Sequence, residues 1–161
     1  MRDGGWHAGP NGWHPAWHLL VDTPQGTVDV LDVHLRNAIS DNGGTIHSYL
    51  TTASDHRLEI AAFEQARPLP DLPSIVLGDF NEGPEGGAVH YLEEAGYRDA
   101  LPLFHPGQPT WRYHSIANQF TQELDHILFD DAFEPLDAWV INGGGSDHLP
   151  VVAHLQMPSK P

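Results

Sequence analysis

The run from Thr27 to Leu35 constrains the fold more than any other stretch of this chain. It carries Val28, Val30, Leu31, Val33 and Leu35 in nine residues. Successive side chains of an extended strand point to opposite faces, and here apolar residues occupy both. A strand of this kind needs cover on both sides, so the fold must place layers above and below a central sheet. Asp29, Asp32 and His34 then sit in a strand with little solvent. The preceding Thr23-Pro24-Gln25-Gly26 is a turn sequence, which makes residues 16–22 the neighbouring strand.

The rest of the chain alternates between periods. Residues 36–53 read as a long polar loop containing Asn42-Gly43-Gly44. Ser54 is placed to cap a helix from Asp55 to Ala66, with Leu58, Ala61, Ala62 and Phe63 on one face. Pro68, Pro70 and Pro73 stop it. A short buried strand, Ser74 to Leu77, ends abruptly at Gly78-Asp79-Phe80-Asn81. A second helix is expected from near Pro84 to before Gly96. Strands are expected at 124–129, 136–141 and 150–155, and a weaker one near 110–113. Residues 1–15, rich in Gly, Pro, Trp and His, read as irregular, with no strand upstream of Trp13. Strands mixed with helices in this order make the fold class α/β or α+β.

The 161 residues are expected to form a single domain, 1–161. Seven Lys and Arg stand against 22 Asp and Glu, a formal charge of −15. That balance makes extended nucleic-acid binding an unpromising reading, since polyanion capture needs a basic footprint. Twelve histidines would largely neutralise the excess in mild acid. With no cysteine there is neither a thiolate metal site nor a cysteine nucleophile. No apolar run reaches the ~20 residues of a membrane span.

Four places put reactive side chains at the ends of apolar strands. They are Val33-His34-Leu35-Arg36-Asn37, Gly78-Asp79-Phe80-Asn81, Leu124-Asp125-His126-Ile127-Leu128, and Ser146-Asp147-His148-Leu149-Pro150-Val151. Each alone has a bland reading: a turn, a strand-end charge, a cap or a core histidine. The ordered set resembles the endonuclease/exonuclease/phosphatase superfamily, with the deoxyribonuclease I-like fold. The resemblance runs from about residue 13 to 155. It implies a β-sandwich with flanking helices and hydrolysis of phosphate esters, usually phosphodiesters, assisted by Mg²⁺ or Mn²⁺. Such a site must neutralise an anionic ester, position a water and protonate the leaving oxygen.

By that resemblance the catalytic residues are His34, Asp79, Asn81, Asp125 and His148. Asp79 would activate the attacking water, and Asn81 would bond that water or the phosphate. His148 would act as acid or base, oriented by Asp125, and His34 would contact a phosphate oxygen. Asp79, Asn81, Asp147 and His148 would contribute to the metal site. Arg36 and Arg112 are candidates for a local phosphate contact, and Trp111, Tyr113 and Phe120 for a pocket wall.

The family pattern also opens with strands ending in an Asn and in a metal-binding Glu. This chain has no Glu before Glu59, and neither Glu59 nor Glu82 stands in the right order. The expectation is therefore a domain truncated at its N-terminus, with an exposed sheet face that favours self-association. A catalytically impaired or non-catalytic binding remnant of the fold is the alternative function. A serine hydrolase using Ser146 lacks the nucleophile-elbow sequence.

Overall fold

The computed structural model describes residues 1–9, 14–37, 45–67, 71–114 and 119–158, with backbone only at 45–53 and 114. Trp13, Asn42-Gly43-Gly44, Pro68 and Pro70 lie outside the described residues.

A six-stranded sheet organises the molecule. Its strands in chain order are β1 (Arg2–His7), β2 (Ala16–Thr23), β3 (Gly26–His34), β4 (Ser74–Asp79), β5 (Arg98–Asp99) and β8 (Asp125–Phe129), in spatial order β1-β2-β3-β4-β8-β5. β2 and β3 form the expected hairpin, closed at Thr23 and Gly26. β3 and β4 are parallel, and the crossover between them carries α1 (Thr45–Gln65). β8 returns antiparallel to β4. Two hairpin-like pairs complete the strands: β6 (Trp111–His114) with β7 (Gln119–Gln122), and β9 (Glu134–Val140) with β10 (Val151–Gln156). The remaining helices are α2 (Gly87–Glu94) and α3 (Ala100–Phe104).

Strand parity divides the core in two. On one face Leu31, Val33, Val76 and Leu128 pack under Ile60 and Phe63 of α1 and Ala88, Val89 and Leu92 of α2. On the other, Val28 and Phe129 meet Ala100 and Leu101 of α3, Phe133, and Ala138 of β9. This second face is less well covered: Val21, Val30, Ile75, Ile127, Val151 and Ala153 are only partly buried. The two-sided patterning of β3 thus finds full cover from the helices and partial cover from the small sheet.

Three expectations are corrected. The Gly-rich opening is a strand, not an irregular lead-in: Arg2 to His7 pairs with β2. Its glycines serve the pairing. A side chain at Gly4 would meet the His18 ring, and Gly5, at φ +100°, takes up a register shift. Glycine inside a strand marks such bulges and close approaches. The α1 helix begins at Thr45, so Ser54 lies inside it rather than at its N-terminus. Thr and Ser cost under ~1 kcal/mol each in a helix, and a turn nucleated elsewhere propagates over them. Finally, α2 begins at Gly87 rather than near Pro84. The Glu82 carboxylate accepts the N–H groups of Gly87, Ala88 and Val89, at 3.0, 2.6 and 3.0 Å. It satisfies donors that a helix start leaves open.

Candidate active site

Strand register assembles the site. Asp79, the last residue of β4, stands opposite His34 at the end of β3 and opposite Asp125 at the start of β8. All three share parity with Val30, Ile75 and Ile127, so they point to the same, partly covered face. His148 arrives from the loop before β10. That loop is fastened by a bridge between Trp111 and His148, and by Leu149 N–H to Thr110 carbonyl at 2.7 Å.

His148 links two carboxylates. Its Nδ1 lies 3.0 and 3.1 Å from the two oxygens of Asp125. A carboxylate accepts only, so Nδ1 carries the proton and Nε2 is left for chemistry. Nε2 faces Asp79 Oδ2 at 3.7 Å, and His34 Nε2 faces the same oxygen at 3.7 Å. Asp125 is itself held by Thr110, whose hydroxyl donates to Oδ2 at 2.6 Å and accepts the N–H groups of Leu124 and Asp125. Burial lowers the His148 pKa, but the Asp125 hydrogen bond and the charges of Asp125, Asp79 and Asp147 outweigh it, leaving the imidazole above its ordinary value. Burial raises the Asp79 carboxyl, against the Asn81 N–H, with Asp125 adding to the rise and both histidines opposing it.

Each residue of Gly78-Asp79-Phe80-Asn81 has a separate task. Gly78 passes against Val33 with φ +137°. Asp79 faces the site. Phe80 is fully buried and meets His126 edge-on at 5.3 Å. Asn81, at φ +51°, donates its side-chain amide to the Leu35 carbonyl at 2.8 Å and its backbone N–H to Asp79 Oδ1 at 2.9 Å. The Asn81 side chain therefore ties the ends of β3 and β4 together.

Asp147 stands apart from this group. It is exposed, its Oδ2 accepts the Trp111 indole N–H at 3.0 Å, and this bond lowers its pKa. Ser146 Oγ accepts the His148 backbone N–H at 3.1 Å. Of the two candidate arginines, Arg36 is paired with Asp55 at 2.8 Å. Arg112 bonds Asn142 and lines a cleft of about 330 Å³ with Tyr113, Gly143, Asp147 and Leu149. Trp111 stacks on Tyr113 as well as bonding Asp147. Thr110, which holds Asp125, was not singled out in the sequence, because a lone Thr before a weak strand carries no signal.

Asp79, Asp125 and His148 offer ligand atoms within 4.8 Å of one another and could hold a metal ion. Both Asp125 oxygens are engaged by His148, and Oδ2 also by Thr110, which leaves Asp79 Oδ2 as the group's uncommitted carboxylate oxygen. Hard oxygen donors of this kind suit Mg²⁺ or Mn²⁺.

The fold that brings these residues to its strand ends, a main sheet with helices on one face and a small sheet on the other, is of the deoxyribonuclease I-like class. The sequence matches the endonuclease/exonuclease/phosphatase family over residues 5–148, and the chain belongs to that family. Solved structures share the fold. An endonuclease/exonuclease/phosphatase from Beutenbergia cavernae is 19% identical, with a TM-score of 0.73 over 97% of this chain and 45% of its own. A conserved protein of unknown function from Enterococcus faecalis is 20% identical, with a TM-score of 0.65 over 92% and 59%. D. rerio TDP2, solved with a single-strand DNA product, is 14% identical, with a TM-score of 0.71 over 98% and 68%. The chain thus spans about half the length of the first two. No curated protein sequence matches it. Among the described residues no helix is long and apolar enough to cross a membrane.

Proposed function

We propose that this chain carries the catalytic part of a metal-dependent phosphoesterase acting on phosphodiesters. The observation that supports the reading best is the row His34, Asp79, Asp125 across three strands, with His148 held between the two carboxylates. Asp79, raised by burial, is a stronger base than a free carboxylate and takes a proton from the attacking water. His148, protonated and oriented by Asp125, stabilises the charge that develops on phosphorus and donates to the leaving oxygen. His34 and Asn81 position the phosphate and water. Asp79, with Asn81 beside it, is the donor proposed for Mg²⁺ or Mn²⁺, whose charge would neutralise the ester; Asp147, held on Trp111, and His148, whose Nε2 carries the acid proton, are not kept in that set. The net charge of −15 favours a small or locally bound ester over a long polyanion.

Hydrolysis of bis-p-nitrophenyl phosphate in Mg²⁺, in Mn²⁺ and in chelator tests the proposal. Metal-dependent turnover is expected, with a loss of about 10²–10⁴ in Asp79→Ala and in His148→Ala. Full activity in both variants would overturn the assignment. A folded wild-type chain inert in both metals would favour the non-catalytic alternative.

A further inference from the structure

The sheet carries a second cluster on the opposite side of β8 from Asp125. His126 points to the helix-covered face, where Asp99, at the junction of β5 and α3, and Glu123, just before β8, converge on it. Their ligand atoms lie within 4.8 Å of one another, and all three residues are buried, with relative exposures of 1%, 6% and 7%. His126 Nε2 lies 2.9 Å from the Glu82 carbonyl, which can only accept, so that nitrogen carries the proton. Nδ1 is 2.5 Å from Asp99 Oδ2.

The cluster holds more acceptors than donors. Glu123 is more than nine-tenths buried, and neither of its carboxylate oxygens has a hydrogen-bond partner among the described residues. Asp99 Oδ1 has none either. An imidazolium at His126 would supply one positive charge against two buried carboxylates, and a buried charge without a partner costs several kcal/mol. A divalent cation matches two carboxylates and a neutral imidazole charge for charge.

We propose that Asp99, Glu123 and His126 form a buried site for a divalent first-row cation such as Zn²⁺ or Mn²⁺. The donor set has the right chemistry. One imidazole with two carboxylates suits these ions, and Glu123 binding through both oxygens brings the count to four. The Nε2–H to Glu82 carbonyl bond is the outer contact that orients a metal-binding histidine. At ~2.0–2.2 Å from the ion, His126 Nδ1 and Asp99 Oδ2 stand ~3.3–3.6 Å apart while the two Glu123 oxygens keep their carboxylate spacing in a distorted four-coordinate site, so the His126–Asp99 contact opens on binding. Such an ion would cross-link the segment entering β8 to the start of α3. It would thereby hold Asp125 from behind, independently of any ion in the catalytic cleft.

The test counts metal. Chelator-stripped protein is dialysed against Zn²⁺ or Mn²⁺, the bound ion is measured by mass spectrometry, and thermal unfolding is followed with and without it. Wild type and Asp79→Ala are expected to retain one equivalent that Glu123→Gln and Asp99→Asn lose. In the Asp79→Ala background the Tm should rise by about 5 °C or more at a hundredfold excess over Kd, a shift that adding Glu123→Gln abolishes. Equal stoichiometry and equal Tm shift in wild type and Glu123→Gln would overturn the proposal. So would a wild type that takes up no such ion while Glu123→Gln melts higher, which would show that a shared proton holds the cluster. Metal loss in Asp79→Ala alone would assign the ion to the cleft and refute the second site.

Discussion

Gly78→Ala is the sharpest perturbation of the fold that positions the site. A Cβ at Gly78 would lie 1.9 Å from the Val33 carbonyl oxygen and 2.9 and 3.0 Å from its carbon and nitrogen. These are backbone atoms of the paired strand, so no side chain can rotate away. At φ +137° the backbone is also in a region that only glycine occupies easily, which costs an alanine about 1–3 kcal/mol. Relieving the clash requires β3 and β4 to part by about an ångström. That weakens the ladder hydrogen bonds at Val33 and His34, each worth ~0.5–1.5 kcal/mol net. The sum is about 2–6 kcal/mol, a large share of a domain's ~5–15 kcal/mol. With a urea slope of roughly 2 kcal/mol per M, the midpoint should fall by about 1–3 M. Asp79→Asn is the companion. It makes no backbone demand and removes a carboxyl already driven toward its neutral form, so it should unfold within about 1 kcal/mol of wild type while losing hydrolysis. A Gly78→Ala protein within 1 kcal/mol of wild type would refute the argument that this glycine is dictated by the strand approach.

In the pH–rate profile of phosphodiester hydrolysis, activity needs Asp79 ionised and His148 protonated. It should fall as pH drops through the raised Asp79 pKa and as pH rises through the raised His148 pKa. Asp125→Asn should move the alkaline limb to lower pH, and an unmoved limb would remove Asp125 from its positioning role. In chelator-treated protein, Glu123 rises from 4.5 unfolded to about 7 folded, so its proton stabilises the fold below 4.5 and that stabilisation is lost as pH passes 7. The loss amounts to about 3 kcal/mol at pH 8. His56, His126 and His148, also raised, add in the same direction above 6.5. The urea midpoint should therefore fall from pH 5 to pH 8, less steeply in Glu123→Gln, and a flat profile would contradict this. The partly covered face, with the exposed Trp6 on edge strand β1, should drive self-association visible by analytical ultracentrifugation. Trp6→Lys should reduce it, and a monomeric wild type at high concentration would count against the expectation.

Much of the architecture was legible because it rests on local rules. Apolar residues on both parities of β3 announced a covered strand, and Thr23 to Gly26 announced the hairpin. The four motifs lay at strand ends in a family order, and strand register brings four residues named from them, His34, Asp79, Asp125 and His148, into one group. Where the reading failed at β1 and at α2, a non-local partner was decisive. Gly4 and Gly5 are poor strand residues until β2 and His18 lie beside them. In α1 the failure was local, since Ile46, Tyr49, Leu50 and Ala53 stand at helical spacing among Thr, Ser and His residues of weak helix preference, whereas α2 starts where the Glu82 carboxylate reaches its N–H groups.

Sequence alone determined which side chains this protein has for chemistry, and in which order the strands carry them. It also determined that β3 must be interior, since residue type and the two-residue strand period are both local properties. Only the tertiary structure decided which of those side chains meet. The 3–4–8 strand order puts Asp79 between His34 and Asp125, and the Thr110 hydroxyl fixes the Asp125 carboxylate. It left Asp147 on Trp111, and it brought Asp99, Glu123 and His126 together across 27 residues of chain. Strand register and packing set these encounters, and both are sums over contacts distant in sequence, which no single stretch encodes.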